Sequence, residues 1–345
     1  MAGPRVATGP HRPVDRTPER APGSIRRTTH LDAWRSTGAD RTIFLTGRGR
    51  DLLTVGPGPL AASAIPAGAG HGDRPVVVAD ETVAVEVDEK QRAVLVLEAA
   101  IPDDVVGALR GQSLRGAFRH ALAGAGLAGA NLVYALLDEL PAVSMVWGYH
   151  LLRLAGTDGP TPHVDIGSMA GVCAGWAVGS SMLQAAERDG RAPIILGPPA
   201  PELAPKLADG GDPWGWHDLP PRRPGTIRRR RRTDVGPPEA GRRAVDAMFR
   251  DTYTEPDGSE TVVHEYAVRA TIDGDRLVAV DADPRVLPAW ECPSAAPSAG
   301  DMAGATLADL RVQVRRDLRG AGTCTHLNYL LRTFADLPDL VAAAG

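Results

Sequence analysis

The sequence predicts an α+β fold made of two similar units, each an antiparallel sheet backed by helices, related by a pseudo-two-fold axis. Three observations predict it. Alternating apolar and polar residues mark hairpins in both halves. Amphipathic segments follow the hairpins instead of alternating with single strands, which points away from a parallel α/β sheet. Four short matches also recur in the same order in the two halves, the pattern of a tandem duplication.

The matches place the elements. Residues 22–27 read Pro-Gly-Ser-Ile-Arg-Arg and residues 224–229 read Pro-Gly-Thr-Ile-Arg-Arg, and each is followed at equal distance by an aspartate, Asp32 and Asp234. These open a first strand, about 25–34 and 227–235. A second strand follows at about 41–54 and 244–254. Next come two hairpins, 83–99 and 266–282, turning near Asp88 and at Asp273-Gly274. Gly111-Gln112-Ser113-Leu114 and Gly304-Ala305-Thr306-Leu307 then lead into helices, with Ser113 and Thr306 as expected N-caps. The first unit's helices are expected at 113–123, 131–140 and 143–154. Those of the second are expected at 306–318 and 324–334. Leu307, Leu310, Val314 and Leu318 keep the three-to-four spacing of a buried helix face. The last match pairs 131–141 with 326–338, sharing Leu, Tyr and Leu positions. The division that follows is an arm at 1–21 expected to be disordered, a first unit at 22–155, a connection with a proline-rich linker at 156–223, and a second unit at 224–345.

Composition narrows the function classes. In 345 residues, 38 Lys+Arg stand against 42 Asp+Glu, a net charge of -4, which argues against a general grip on nucleic acid. No apolar run is long enough to span a membrane, and the Arg- and Pro-rich start lacks the apolar core of a secretory signal. A cytoplasmic protein is therefore expected. Three cysteines, Cys173, Cys292 and Cys324, are too few for a disulfide framework. The five consecutive arginines Arg228 to Arg232 are expected to form a solvated edge strand guarded against pairing. No glycine fingerprint for nucleotides and no nucleophile elbow occurs.

Differences between the two units single out a site. The second unit carries His264 before its hairpin strand, Cys292 after the hairpin, and Cys324-Thr325-His326 at the start of its late helix. The first unit has Ala79-Asp80, Ile101-Pro102 and Gly129-Ala130-Asn131 at the corresponding places. An out-and-back hairpin returns its two ends to one side, so the three differences fall at one edge of the unit. Thiolates and neutral imidazoles are preferred ligands of zinc and also serve iron. His264, Cys292, Cys324 and His326 are therefore the expected metal ligands. A helix start at Cys324 is expected to favour its thiolate. Cys173 is expected to be a buried thiol, or else a further ligand. No residue is assigned as catalytic: His326 and Glu265 are the candidates, with Asp301 a further carboxylate near the site. His30 and His120 are expected to be structural or exposed.

The segments HEYAVRATIDGDRLVAVDADPRVLPAWECP and CTHLNYLLRTFADLP resemble a bacterial family called domain of unknown function 2889. Its most specific piece here is Cys324 to Leu327. PGSIRRTTHLDAW, LTGRGRDLLT and GVCAGWAVGSS are similar to stretches of its longer actinobacterial members. The resemblance spans most of residues 22–340 and implies kinship without a reaction. A more remote resemblance is to iron–sulfur scaffold proteins of the NifU type. It implies ligands at His264, Cys292 and Cys324, but the cysteine that scaffold carries two residues earlier is Val262 here. A mononuclear ion is the better fit.

The function expected is a metal-binding protein with one Cys/His-held ion, zinc before iron. As an enzyme it would be a metal-dependent lyase or hydrolase acting on a small organic acid or acyl compound held between the units. The alternative is a non-catalytic zinc or iron–sulfur binding protein serving assembly, transfer or regulation. No nucleic-acid or membrane partner is expected.

Overall fold

The computed structural model describes residues 8–36, 41–56, 74–127, 132–155, 166–203 and 212–344. Its first seven residues and the matched tripeptide Gly129-Ala130-Asn131 lie outside the described residues. Among the described residues eight strands are present: β1 (Ile25–Arg35), β2 (Thr42–Val55), β3 (Arg74–Asp88), β4 (Val94–Ala99), β5 (Ile227–Val235), β6 (Arg242–Thr254), β7 (Glu260–Asp273) and β8 (Arg276–Val286). They form one antiparallel sheet in the order β4-β3-β2-β1-β5-β6-β7-β8. Two four-stranded meanders thus meet back to back at β1 and β5.

Matching details recur on the two sides of that seam. Each first strand is entered by a tight turn. Ser24 N–H donates to the Ala21 carbonyl and Thr226 N–H to the Arg223 carbonyl, both at 3.0 Å. Gly23 and Gly225 take φ of +76° and +80°. Proline followed by a glycine with positive φ is what a type II turn demands, so the repeated Pro-Gly has a conformational cause. β1 and β5 pair with Arg26 opposite Asp234 and Asp32 opposite Arg228. Both become bidentate ion pairs, Arg26 at 2.5 and 3.1 Å and Arg228 at 2.7 and 2.6 Å. Arg27–Asp51 and Arg229–Asp251 repeat the same geometry between first and second strands.

The five arginines of β5 are not on an edge. The strand lies in the middle of the sheet, and every one of the five is buried. Four partners lie far off in sequence or on other strands: Asp32, Asp251, Glu260 and Glu139. Arg232 is held by Asp234 and Asp246. A guanidinium enters a sheet interior only when paired and hydrogen-bonded, and tertiary partners of that kind leave no mark within the run itself.

Helices cover one face. The first unit contributes α1 (Asp103–Leu109), α2 (Ala117–Gly124) and α3 (Leu132–Ala155). The connection supplies α4 (Ile166–Met169) and α5 (Ser181–Asp189), and the second unit α6 (Leu310–Asp317), α7 (Thr325–Arg332) and α8 (Leu337–Ala344). α3 replaces the two helices expected at 131–140 and 143–154 and runs straight through Pro141. An interior proline costs about 3 kcal/mol, and burial of Leu137, Leu140, Val143 and Trp147 on both sides of it offsets that cost. Neither Ser113 nor Thr306 is the N-cap of an α-helix: α2 starts four residues after Ser113, whose hydroxyl accepts from Arg115 N–H at 3.3 Å, and Thr306 makes no side-chain capping bond. Two apolar cores result, and the units trade residues between them. Ile25 of β1 packs in the second unit's core, and Ile227 of β5 in that of the first.

Among the described residues, the opposite face is covered by extended chain. Residues 8–21, expected to be disordered, lie along it: Arg12 N–H donates to the Arg285 carbonyl, Leu287 N–H to the Pro10 carbonyl, and Arg20 pairs with Asp212 at 2.6 Å. Backbone bonds to a strand edge, the Arg20–Asp212 ion pair and the buried Glu265, which accepts from Val14 N–H, anchor the segment without an apolar pattern. Among the described residues, no helix is long and apolar enough to cross a membrane.

Candidate functional site

Three elements of the second unit converge on one point of the helix-covered face. Asp251 lies near the end of β6, and a β-bulge follows it: Asp251 faces His264, Thr252 faces Val262, and Val263 is left unpaired on β7. The extra residue turns Val263 and His264 toward the same face, the local re-aiming that bulges provide. His326 sits in the first turn of α7. The two imidazoles stack with centroids 3.7 Å apart and planes 21° apart, and Phe249 backs the His326 ring.

His326 Nδ1 lies 3.6 Å and His264 Nδ1 3.8 Å from the same Asp251 Oδ2. Both separations exceed hydrogen-bond length. Both Nδ1 atoms are buried without a hydrogen-bond partner. Asp251, His264 and His326 each offer a ligand atom, and these atoms lie within 4.8 Å of one another.

Electrostatics leave this group ready for a cation. Burial opposes ionisation of Asp251, but Arg229 and the facing His326 outweigh it and hold the carboxyl well below the usual range. Burial pushes both imidazoles down, His264 further because His326 adds to the effect. At neutral pH the set is thus one carboxylate and two neutral imidazoles, the protonation states that metal ligands require.

The group opens on a cavity of about 330 Å³ between the units. α3 of the first unit supplies one wall through Met145, Tyr149 and Leu152, while His264, Cys292, Cys324 and His326 line the other. Cys173 lines it too, from the turn after α4, where Ala174 N–H donates to the Thr323 carbonyl next to Cys324. Gly175 lies so close to Cys292 that a Cβ there would sit 2.6 Å from its sulfur. The four expected ligands therefore share one cavity, but the tight group contains the two histidines with Asp251 and neither cysteine.

The expected thiolate at Cys324 is reversed. Burial pushes its thiol up to about 11, and the N–H groups of Leu327 and His326 at the helix start only partly oppose this. Burial and the neighbouring Cys324 push Cys292 up as well. Glu265 points to the opposite face, where it pairs with Arg250 and accepts from Val14 N–H at 2.5 Å. Asp301 is exposed and lines no part of the cavity. His30 is buried against His217, with 2.6 Å between ring nitrogens, and His120 is exposed.

Asp251 is not among the differences between the units, because its counterpart is also an aspartate. The first unit has Asp51 at the same bulge, held by Arg27 as Asp251 is held by Arg229, but there the facing residue is Ala79. A shared aspartate becomes a different kind of site when two histidines join it.

Fold and site together define a helix-backed antiparallel sheet with a carboxylate–imidazole cluster at the polar end of an apolar cavity. Residues 227–338 match the profile of a family described as "Protein of unknown function (DUF2889)". The match covers about a third of the chain, spans β5 to the start of α8 and includes the whole cluster, and it supports the family reading of the second unit. No curated protein and no solved structure matches the chain.

Proposed function

We propose that the protein binds one divalent metal ion through Asp251, His264 and His326 and uses it on a small molecule in the adjoining cavity. The observation that carries this reading is the pair of buried, unpartnered Nδ1 atoms facing one carboxylate oxygen. An unsatisfied buried nitrogen costs about 1–3 kcal/mol, and a cation shared with Asp251 would relieve both at once. Two imidazoles and a carboxylate suit catalytic zinc, and equally the open facial set of non-haem iron. Zinc remains the first choice. Bound there, an ion would polarise a carbonyl or activate water, the chemistry of a lyase or hydrolase. The chain's own residues fix the site: Arg229 holds Asp251 through two hydrogen bonds, Phe249 backs His326, and α3 lines the cavity beside them.

A second reading has its own support. Cys173, Cys292 and Cys324 line the same cavity, so a softer, thiol-bound ion or iron–sulfur cluster serving assembly or transfer would find ligands there, in keeping with the NifU-type resemblance. We also infer that the two units descend from one ancestor, since their turns, ion pairs and bulges correspond. On that account the first unit lost, or never acquired, the histidines.

Zinc titrated into chelator-stripped protein tests the first reading. A ligand at a hundredfold its Kd stabilises the native state by about 2.7 kcal/mol, so the thermal midpoint should rise by several degrees. It should stay fixed in His264→Ala and His326→Ala. Equal rises in wild type and both variants would refute it.

A further inference from the structure

We propose that the cavity takes a monocarboxylic acid or its acyl derivative with an apolar body, its head toward His264 and His326 and its tail along α3. This rests on the metal reading for the head group and on the cavity alone for the body. Beyond the cluster the wall is Met145, Tyr149, Leu152, Met182, Ile195 and Leu287, with no charged side chain among the described residues of the cavity. Its volume of about 330 Å³ falls at the lower end of small-molecule sites. A second charged end would find no charged partner among these side chains, which disfavours its burial there.

Charge selects the head. Asp251 is already paired with Arg229 through two hydrogen bonds, and no carboxylate stands among the described residues that line the cavity. A divalent ion held by Asp251, His264 and His326 would carry positive charge that no described side chain of the cavity balances, and a carboxylate, or the oxyanion formed from an acyl group, would supply the balance.

The test uses the full chain, stripped and then loaded with zinc alone, with binding followed by fluorescence of Trp176, which lines the cavity. Butanoate, hexanoate, octanoate and succinate are titrated in turn. Affinity should rise about fourfold per methylene from butanoate to octanoate, with succinate at least a hundredfold weaker than octanoate. Gly148 faces the cavity from α3, and a Cβ there meets nothing within 4 Å. Gly148→Leu should therefore fold, keep its zinc and lose octanoate binding at least thirtyfold, whereas Gly148→Ala should keep most of it. Succinate binding as tightly as octanoate, a flat response to chain length, or an indifferent Gly148→Leu would each overturn the proposal. Zinc uptake is measured beside each titration. A chain that takes no zinc but still shows the length dependence and the Gly148 effect supports the apolar body and counts against the metal reading alone.

Discussion

At the scale of single residues, the molecule is organised by buried ion pairs. Asp138 of α3 shows what they do. It is 4% exposed and faces Arg119 of its own unit together with Arg311 and Arg332 of the other. Burial opposes its ionisation, yet the three arginines prevail and hold its carboxyl below the usual range. A carboxyl depressed on folding stabilises the native state above its unfolded pKa, near 4. That contribution is lost as pH falls through the lower folded value. The thermal midpoint should therefore decline below about pH 4. Asp138→Asn should cost about 3 kcal/mol at neutral pH and flatten the acid limb, as circular dichroism melts from pH 7 to pH 2 would show. An unchanged acid limb in the variant would remove Asp138 from the account. Cys324 teaches the complementary lesson. Its place at a helix start was legible in the sequence, but the sign of its shift depended on burial, which a local reading does not weigh.

At the scale of elements, strand β5 separates what the sequence disclosed from what it did not. Its bounds, its turn and its likeness to β1 follow from the Pro-Gly-Thr-Ile-Arg-Arg run. Its place in the sheet does not, because five adjacent charges suggest water until Asp32, Asp251, Glu260, Glu139 and Asp246 arrive from elsewhere. Arg228→Met should thus cost about 3–5 kcal/mol by stranding Asp32, and adding Asp32→Leu should recover much of that loss. Urea denaturation of the two variants decides it, and a neutral single substitution would return β5 to the surface. The bulge after Asp251 is similar. Alternation located the strand, but a one-residue slip in pairing is invisible in sequence, and that slip brings His264 beside Asp251. His264 and His326 stand out in the sequence because the other unit lacks them. Asp251 does not, because the other unit has its like.

At the scale of the whole molecule, the two units form one body. β1 and β5 close a single sheet, Ile25 and Ile227 sit in each other's cores, and Arg119 stacks on Tyr329 as Arg311 does on Tyr134, at 4.4 and 4.8 Å. Unfolding should accordingly be one cooperative transition, coincident by near- and far-ultraviolet circular dichroism. Residues 224–345 expressed alone should fail to fold as a monomer, because β5 would become an exposed edge bearing unpaired buried arginines. Two separated transitions would contradict this. The same interlock builds the cavity, since α3 of one unit and the histidines of the other line it together. The central claim is that Asp251, His264 and His326 hold a metal ion. Elemental analysis of the purified full chain, beside its His264→Ala, His326→Ala double variant, tests it most directly. About one ion per chain in the wild type and none in the variant is the predicted result, whereas metal-free wild type, or equal metal in both, would contradict it.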